Sequence, residues 1–198
     1  MIKETASKAD VNEALIALIG ALEARDLFSK DHSLRVAHLV KLLINKFRID
    51  ADQKQTIYNA ALLHDIGMVS IPDTILLKKG RLSPAERERI EHSPEVAAII
   101  LAPIKSLAAE RIIILHQGER WDGKGYPAQL AGHKIPEGAR FIAIAKAIDA
   151  MTHHRAYRRA RPISYCLDQL HEHADTQFDP KIAEVAASIL CKGIISKK

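Results

Sequence analysis

The residues best suited to chemistry in this sequence are His64 and Asp65, within the segment 61–73 (Ala-Leu-Leu-His-Asp-Ile-Gly-Met-Val-Ser-Ile-Pro-Asp). An apolar helical run ends at this pair, Gly67 follows it, and Pro72 prevents a simple continuation of the helix. An imidazole and a carboxylate that point into one cavity suit iron, manganese or zinc. The alternative is a helix that ends in two polar residues before a glycine stop signal.

Two more histidines lie where they can join such a site. His32 falls in the first turn of a helix that Asp31 can cap, so its side chain can face a neighbouring helix. His92 ends a helix that starts with the capping box Ser83-Pro84-Ala85-Glu86. The alternative for His92 is a helix-end histidine that the helix dipole favours.

Helical periodicity dominates the chain and strand alternation is absent, which predicts an all-α domain. We expect Asp52 to cap the helix that ends at His64, and small residues such as Ala143 and Ala147 to lie on the buried face of the long helix that starts at Glu137. The predicted helices cover residues 11–25, 32–47, 52–65, 83–92, 95–101, 106–116, 137–157, 163–174 and 180–190.

Composition indicates one domain over residues 1–198, since 198 residues with 47% hydrophobic content can bury a full core. No apolar run is long enough to cross a bilayer, and the first residues do not resemble a signal peptide. Two cysteines without a CxxC pair favour reduced thiols and a cytoplasmic location. A net charge of +5 suits an anionic ligand but is too small to indicate nucleic acid binding.

The segment 117–127 is the only glycine-dense stretch, and it also holds the only tryptophan, Trp121. Turn residues mixed with large aromatics predict an ordered loop, with Trp121 in the core. The loop residues of interest are Asp122, Gly123, Gly125, Tyr126 and Pro127.

Taken together, these motifs resemble a known family. The segments 32–37, 60–67 and 71–73 resemble the HD superfamily of metal-dependent phosphohydrolases, and the segments 119–127 and 149–152 are similar to its HD-GYP subfamily. The resemblance implies an all-helical domain that hydrolyses cyclic di-GMP with two or three iron or manganese ions. In that chemistry the ions activate a hydroxide and stabilise the charge on the phosphoryl oxygens.

The resemblance also implies a set of metal ligands, of which this sequence keeps four. His32, His64 and His92 match histidine ligands of the family, and Asp65 matches its metal-bridging aspartate. If the domain is active, Asp65 is the residue we expect to be essential for catalysis.

Four family positions carry a different residue in this chain: Met68, Gln117, Gly118 and Lys146. Two adjacent histidine ligands are replaced by Gln117 and Gly118, a ligand aspartate by Lys146, and a phosphate-binding lysine by Met68. We therefore predict that the family's metal cluster does not assemble, and we expect no cofactor. We expect the Lys146 ammonium to pair with Asp65 in place of a metal charge; the alternative is that Lys146 extends into solvent.

Arg155 and Arg158 match basic positions that contact cyclic-dinucleotide phosphates in the family, and Arg suits phosphate. The alternative is a solvated basic helix end. The loop around Gly125, Tyr126 and Pro127 matches a surface feature of the family that is linked to partner domains, among them GGDEF-type synthases.

The first reading is therefore a degenerate HD-GYP domain in bacterial cyclic-dinucleotide signalling, without catalysis, that binds cyclic di-GMP or a protein. The second is an active cyclic di-GMP phosphodiesterase with a rebuilt iron or manganese site made from His32, His64, Asp65 and His92. A third is a structural or dimerisation domain of a longer signalling chain. In that case residues 1–25 could form an interface, allow a homodimer, or join a receiver domain upstream.

Overall fold

A computed structural model describes Ala17, Gly20 and residues 32–78, 80–153 and 160–193. Across those ranges the chain forms helices and two isolated β-bridges but no β-strand, which confirms the all-α prediction. The helix expected over 11–25 lies outside the described residues, apart from Ala17 and Gly20, which are helical. The extent of the domain over 1–198 stays a prediction.

Nine α-helices occur within the described ranges. They are α1 (His32–Ile44), α2 (Ala51–Leu63), α3 (Asp73–Leu76), α4 (Pro84–Glu91), α5 (Ser93–Leu101), α6 (Ala108–Leu115), α7 (Glu137–Thr152), α8 (Ile163–Glu172) and α9 (Pro180–Cys191). Three 3-10 helices join them at Ile66–Ser70, Lys105–Leu107 and Gly132–Lys134. None of the described helices has the length and apolar character needed to span a bilayer.

Helix starts follow local capping chemistry. The expected capping box of α4 is present: Ser83 Oγ accepts from the Glu86 amide at 3.2 Å, and Glu86 accepts from the Ser83 amide at 2.6 Å. Asp52 was expected to cap α2, but the cap lies two residues earlier. Asp50, in an extended conformation, accepts from the Gln53 amide at 2.8 Å, so Asp52 lies inside the first turn.

The long helix α7 lies at the centre of the fold and packs against α1, α2, α6, α8 and α9. Because neighbours surround it, its most buried residues include the large side chains Phe141, Ile144 and Ile148, whereas Ala143 and Ala147 are only half-buried. The helix ends at Thr152 and not near residue 157, since His153 takes an extended conformation. Arg155 and Arg158, expected on its last turn, lie outside the described residues.

The segment after α2 is held close to α5. A Cβ atom on Gly67 would lie 1.8 Å from the Ser93 carbonyl oxygen, so only glycine fits at this point of the 3-10 helix Ile66–Ser70. This close approach fixes the path of the chain just after His64 and Asp65 and so places both side chains against α1 and α7.

Candidate metal and ligand site

Three candidate residues meet in one place, and we refer to His32, His64 and Asp65 as the trio. His32 starts α1, His64 caps the end of α2, and Asp65 follows it. One ligand atom from each lies within 4.8 Å of the others. The two Nε2 atoms are 3.3 Å apart, and Asp65 lies 3.4 Å from His32 Nε2 and 3.2 Å from His64 Nε2.

The opposite edges of both imidazoles are occupied by acceptors. His32 Nδ1 donates to Asp149 Oδ2 at 2.6 Å, and His64 Nδ1 donates to the Ala61 carbonyl at 2.8 Å. When both rings are neutral, the Nε2 atom of each ring therefore carries a lone pair. The two lone pairs point into the same space, which the Asp65 carboxylate also faces. Acceptors that converge at these distances need a cation between them, either a proton or a metal ion.

The charges around the trio shift its pKa values in opposite directions. Burial lowers the pKa of His64, whereas burial of His32 is outweighed by its hydrogen bonds to Asp149 and Asp65, which raise the pKa of His32. Burial opposes ionisation of Asp65, but the interactions with His64 and Lys146 hold its pKa well below the usual range. Asp65 is therefore an anion, and His32 is the imidazole that takes a proton more readily.

Asp149 anchors this arrangement from α7. Its carboxylate is 1% exposed and accepts from His32 and from Arg35 Nε at 2.5 Å, and His153 Nδ1 lies 3.1 Å from its Oδ1. Burial opposes its ionisation, yet the hydrogen bonds from His32 and Arg35 hold the pKa of Asp149 well below the usual range. From the sequence, Asp149 stood out only as part of the motif 149–152. Its place one turn after Lys146 was the signal that it faces the same site.

Lys146 reaches the trio from α7, as the sequence analysis expected. Its Nζ lies 3.8 Å from Asp65 Oδ1 and donates to Gln117 Oε1 at 2.8 Å. Gln117 is 5% exposed and donates through Nε2 to the His64 carbonyl at 2.6 Å. Lys146 and Gln117 are thus in direct contact with each other beside the trio.

Gly118, the residue after Gln117, is covered by the loop. A Cβ atom there would lie 2.3 Å from Cε2 of Tyr126, whose own amide donates to the Gly118 carbonyl at 3.2 Å. Burial, together with the charges of Glu91 and Asp65, raises the pKa of Tyr126. The Tyr126 ring therefore takes up the space that a side chain at position 118 would need.

Glu119 holds the rest of the loop. Its buried carboxylate accepts from the amides of Ala128 at 2.8 Å and Leu130 at 3.1 Å. His116 Nδ1 lies 3.4 Å from Glu119 Oε1, so His116 contacts the loop support and not the trio. The supporting role of Glu119 was not predicted, since a lone glutamate before a glycine-rich loop carries no distinctive pattern.

The loop residues named from the sequence have mainly structural contacts. Asp122 accepts from Arg120 Nε at 3.1 Å and from the Lys124 amide at 3.1 Å, and Gly123 has a φ of 77°, which favours glycine. Trp121 was expected in the core, but it is only half-buried and donates to Asp175 Oδ1 at 2.9 Å. Its polar ring nitrogen needs a partner, which keeps the ring at the edge of the core.

His92 is not brought into the trio. Its imidazole is 60% exposed, with Nδ1 2.9 Å from the Glu88 carbonyl and Nε2 3.7 Å from Glu95 Oε2. Met68 lies in the 3-10 helix after the trio and offers no charge for a phosphate. The structure therefore gathers three of the four expected ligands.

Among the described residues, the donor atoms that come together fit one cation and not two. The trio supplies two imidazole nitrogens and a carboxylate, which is a donor set for iron, manganese or zinc. For a second ion, Gly118 offers no ligand, His92 faces Glu95, and the Lys146 ammonium brings like charge to Asp65. The expectation that no cofactor binds is therefore not supported for a single ion.

Comparisons with known proteins agree with this architecture. The model of the HD domain family matches residues 17–182. The cyclic di-GMP phosphodiesterase response regulator RpfG of Xanthomonas campestris pv. campestris is 32% identical over 174 residues, which cover 87% of this chain and 46% of that protein. The 3'3'-cGAMP-specific phosphodiesterase 2 of Vibrio cholerae is 32% identical over 177 residues, which cover 87% of this chain and 34% of that protein.

A solved structure shares the fold. Bd1817, an HDG"Y"P protein from Bdellovibrio bacteriovorus, aligns with a TM-score of 0.66 and 21% identity over 81% of this chain and 51% of its own. The chain spans less than half the length of the two curated relatives named above. The family match over most of the chain, together with the shared helical fold, leads to one conclusion: the chain belongs to the HD domain family.

Proposed function

We propose that this chain is a degenerate HD-GYP domain in bacterial cyclic-dinucleotide signalling, which binds its ligand without hydrolysing it. The observation that carries the proposal is the position of the Lys146 ammonium, 3.8 Å from Asp65 and hydrogen-bonded to Gln117. Two-metal hydrolysis needs two ions that share a bridging ligand. Here an internal cation faces the residue that would bridge them.

The ligand we propose is a cyclic dinucleotide, since the curated relatives named above act on cyclic di-GMP and on 3'3'-cGAMP. Arg155 and Arg158 are the residues we expect to contact its phosphates. The net charge of +5 favours an anionic ligand. A GGDEF-type or receiver partner at the loop, a homodimer and a cytoplasmic location all stay predictions.

The test combines binding and hydrolysis on the same preparation of the full chain, purified without chelators. Cyclic di-GMP and 3'3'-cGAMP are titrated by calorimetry, then incubated with the protein and Mn²⁺ or Fe²⁺ and analysed by chromatography. We expect saturable binding and intact nucleotide. Arg155→Gln with Arg158→Gln should abolish binding, whereas Lys192→Gln, at an exposed basic residue after α9, should not. Release of a linear dinucleotide by the wild-type chain contradicts the proposal.

A second candidate function is a phosphodiesterase with a single ion, and one observation favours it: the two Nε2 atoms and the Asp65 carboxylate converge with their lone pairs. His32, His64 and Asp65 would hold iron or manganese. Such an ion, when bound, supplies a Lewis acid that activates water and polarises a phosphoryl oxygen. In that case hydrolysis would depend on added metal and would be lost in His64→Ala.

A further inference from the structure

The Gln117 side chain is fully engaged between the trio and Lys146. Its Nε2 donates to the His64 carbonyl at 2.6 Å, and its Oε1 accepts from Lys146 Nζ at 2.8 Å. The residue is 5% exposed, so water does not readily replace either bond. Because the backbone bond fixes which end of the amide faces Lys146, the acceptor end is held in place for the ammonium.

Lys146 needs such a partner to stay near Asp65. Its side chain is 35% exposed and flexible, so the ammonium could otherwise extend into solvent, where it is well hydrated. The hydrogen bond to Gln117 is the shorter contact, at 2.8 Å against 3.8 Å to Asp65. The glutamine therefore helps to hold the positive charge beside the trio.

We propose that Gln117 is a positioning residue that anchors the Lys146 ammonium beside Asp65, and that this anchored cation lowers the affinity of the trio for a divalent metal ion. The inference deepens the proposed function and rests on it, because it explains how two replaced positions act together against a metal site. An ammonium held within a few ångströms of a bound divalent cation repels it, and the repulsion is strong in a partly buried site.

The test is a Mn²⁺ titration of the wild-type chain and three variants: Lys146→Met, Gln117→Leu and the double variant. Free Mn²⁺ is measured by its electron paramagnetic resonance signal, and Mn²⁺ prefers oxygen and nitrogen ligands over a thioether. We expect Lys146→Met to raise the affinity about tenfold. Gln117→Leu should raise it by a smaller factor, since the released ammonium moves toward solvent. In the Lys146→Met background, Gln117→Leu should have no further effect.

Lys78→Met is the matched control. Lys78 is 34% exposed and ion-paired with Glu86 at 2.6 Å, but it lies away from the trio, so its loss should leave Mn²⁺ affinity unchanged. Thermal unfolding of each variant checks the fold. If Gln117→Leu loses the wild-type transition, Gln117→Asn replaces it, since the shorter amide cannot reach both partners.

Three results overturn the inference. One is that Lys146→Met binds Mn²⁺ with the same affinity as the wild-type chain, or that neither of these two proteins binds Mn²⁺. Another is a fall in affinity in Gln117→Leu, which would place the released ammonium within the trio. The third is that Gln117→Leu changes the Mn²⁺ affinity by the same factor in the wild-type chain and in Lys146→Met. This result would indicate that Gln117 acts independently of Lys146 and has a merely structural role. Hydrolysis by the wild-type chain would contradict the proposed function and leave this titration interpretable.

Discussion

At the scale of single residues, Gly118 is packed tightly against the loop. The ring of Tyr126 lies against the Gly118 backbone, where a Cβ atom would be 2.3 Å from Cε2 and 2.6 Å from Cζ. Distances this short require the ring or the backbone to move. The packing of the loop therefore requires a residue without a side chain at position 118.

We expect Gly118→Ala to destabilise the fold by roughly 1–3 kcal/mol, because the added methyl group must displace the half-buried Tyr126 ring. Chemical denaturation measures the change. Gly80→Ala is the control, since a Cβ atom at Gly80 meets nothing within 4 Å. The cost should largely disappear in a Tyr126→Ala background. An equal free energy of unfolding for Gly118→Ala and the wild type would contradict this expectation, because it would show that the Tyr126 ring moves aside without cost.

Residue identities predicted much of the site but not its hydrogen bonds. Residue types and the family resemblance identified His32, His64 and Asp65, and the resemblance, which assigns a ligand aspartate to position 146, led to the expected contact between Lys146 and Asp65. It did not predict that Gln117 bonds Lys146. That contact depends on how closely two helices approach and on side-chain rotamers, which one sequence does not encode in a readable pattern.

At the scale of helices, α2 and α6 share a buried carboxyl group that the site does not use. Glu110 on α6 is 5% exposed and accepts from Asn59 Nδ2 on α2 at 3.3 Å. Asn59 in turn accepts from Gln55 Nε2 at 2.8 Å. Burial raises the pKa of Glu110 above its ordinary value of 4.5. The folded chain therefore favours the protonated form of this residue more than the unfolded chain does.

This shift gives a pH dependence with a definite sign. The contribution of Glu110 to stability is fully present below about pH 4.5 and is lost as the pH rises through the raised pKa. Above that window Glu110→Gln, which stays neutral, should be more stable than the wild type by about 1 kcal/mol. Urea denaturation from pH 4.5 to 8 measures the difference, with Glu184→Gln on the exposed face of α9 as the control. A difference that does not vary with pH would contradict the burial effect.

Helix boundaries were predicted correctly where a capping side chain defines them. They were missed where contacts in the folded chain determine the end of the helix. Ser83 and Glu86 mark the start of α4 in the sequence, and the structure confirms it. The end of α7 carries no comparable mark. The periodicity continues past Thr152, but His153 leaves the helix and contacts Asp149, and such a contact is visible only in three dimensions.

At the scale of the whole molecule, one buried network ties the first described helix to the central one. Asp149 of α7 accepts from His32 and Arg35 of α1, while the surrounding core is apolar. The same carboxylate thus orients a trio histidine and holds two helices together. A buried anion with several cationic partners is costly to leave half-paired, so the network couples the integrity of the site to that of the fold.

Asp149→Asn should lower the free energy of unfolding at neutral pH by roughly 3 kcal/mol, because the amide cannot replace the charge opposite Arg35. The folded-state pKa of Asp149 lies below its ordinary value of 3.8, so its contribution is present above about pH 4 and fades as the pH falls further. Guanidinium denaturation between pH 7 and pH 2.5 should show the two proteins converging in acid. Asp168→Asn, at an exposed carboxylate on α8, should change little across that range. A constant gap between Asp149→Asn and the wild type down to pH 2.5 would mean that shape, and not the charge of Asp149, joins α1 to α7.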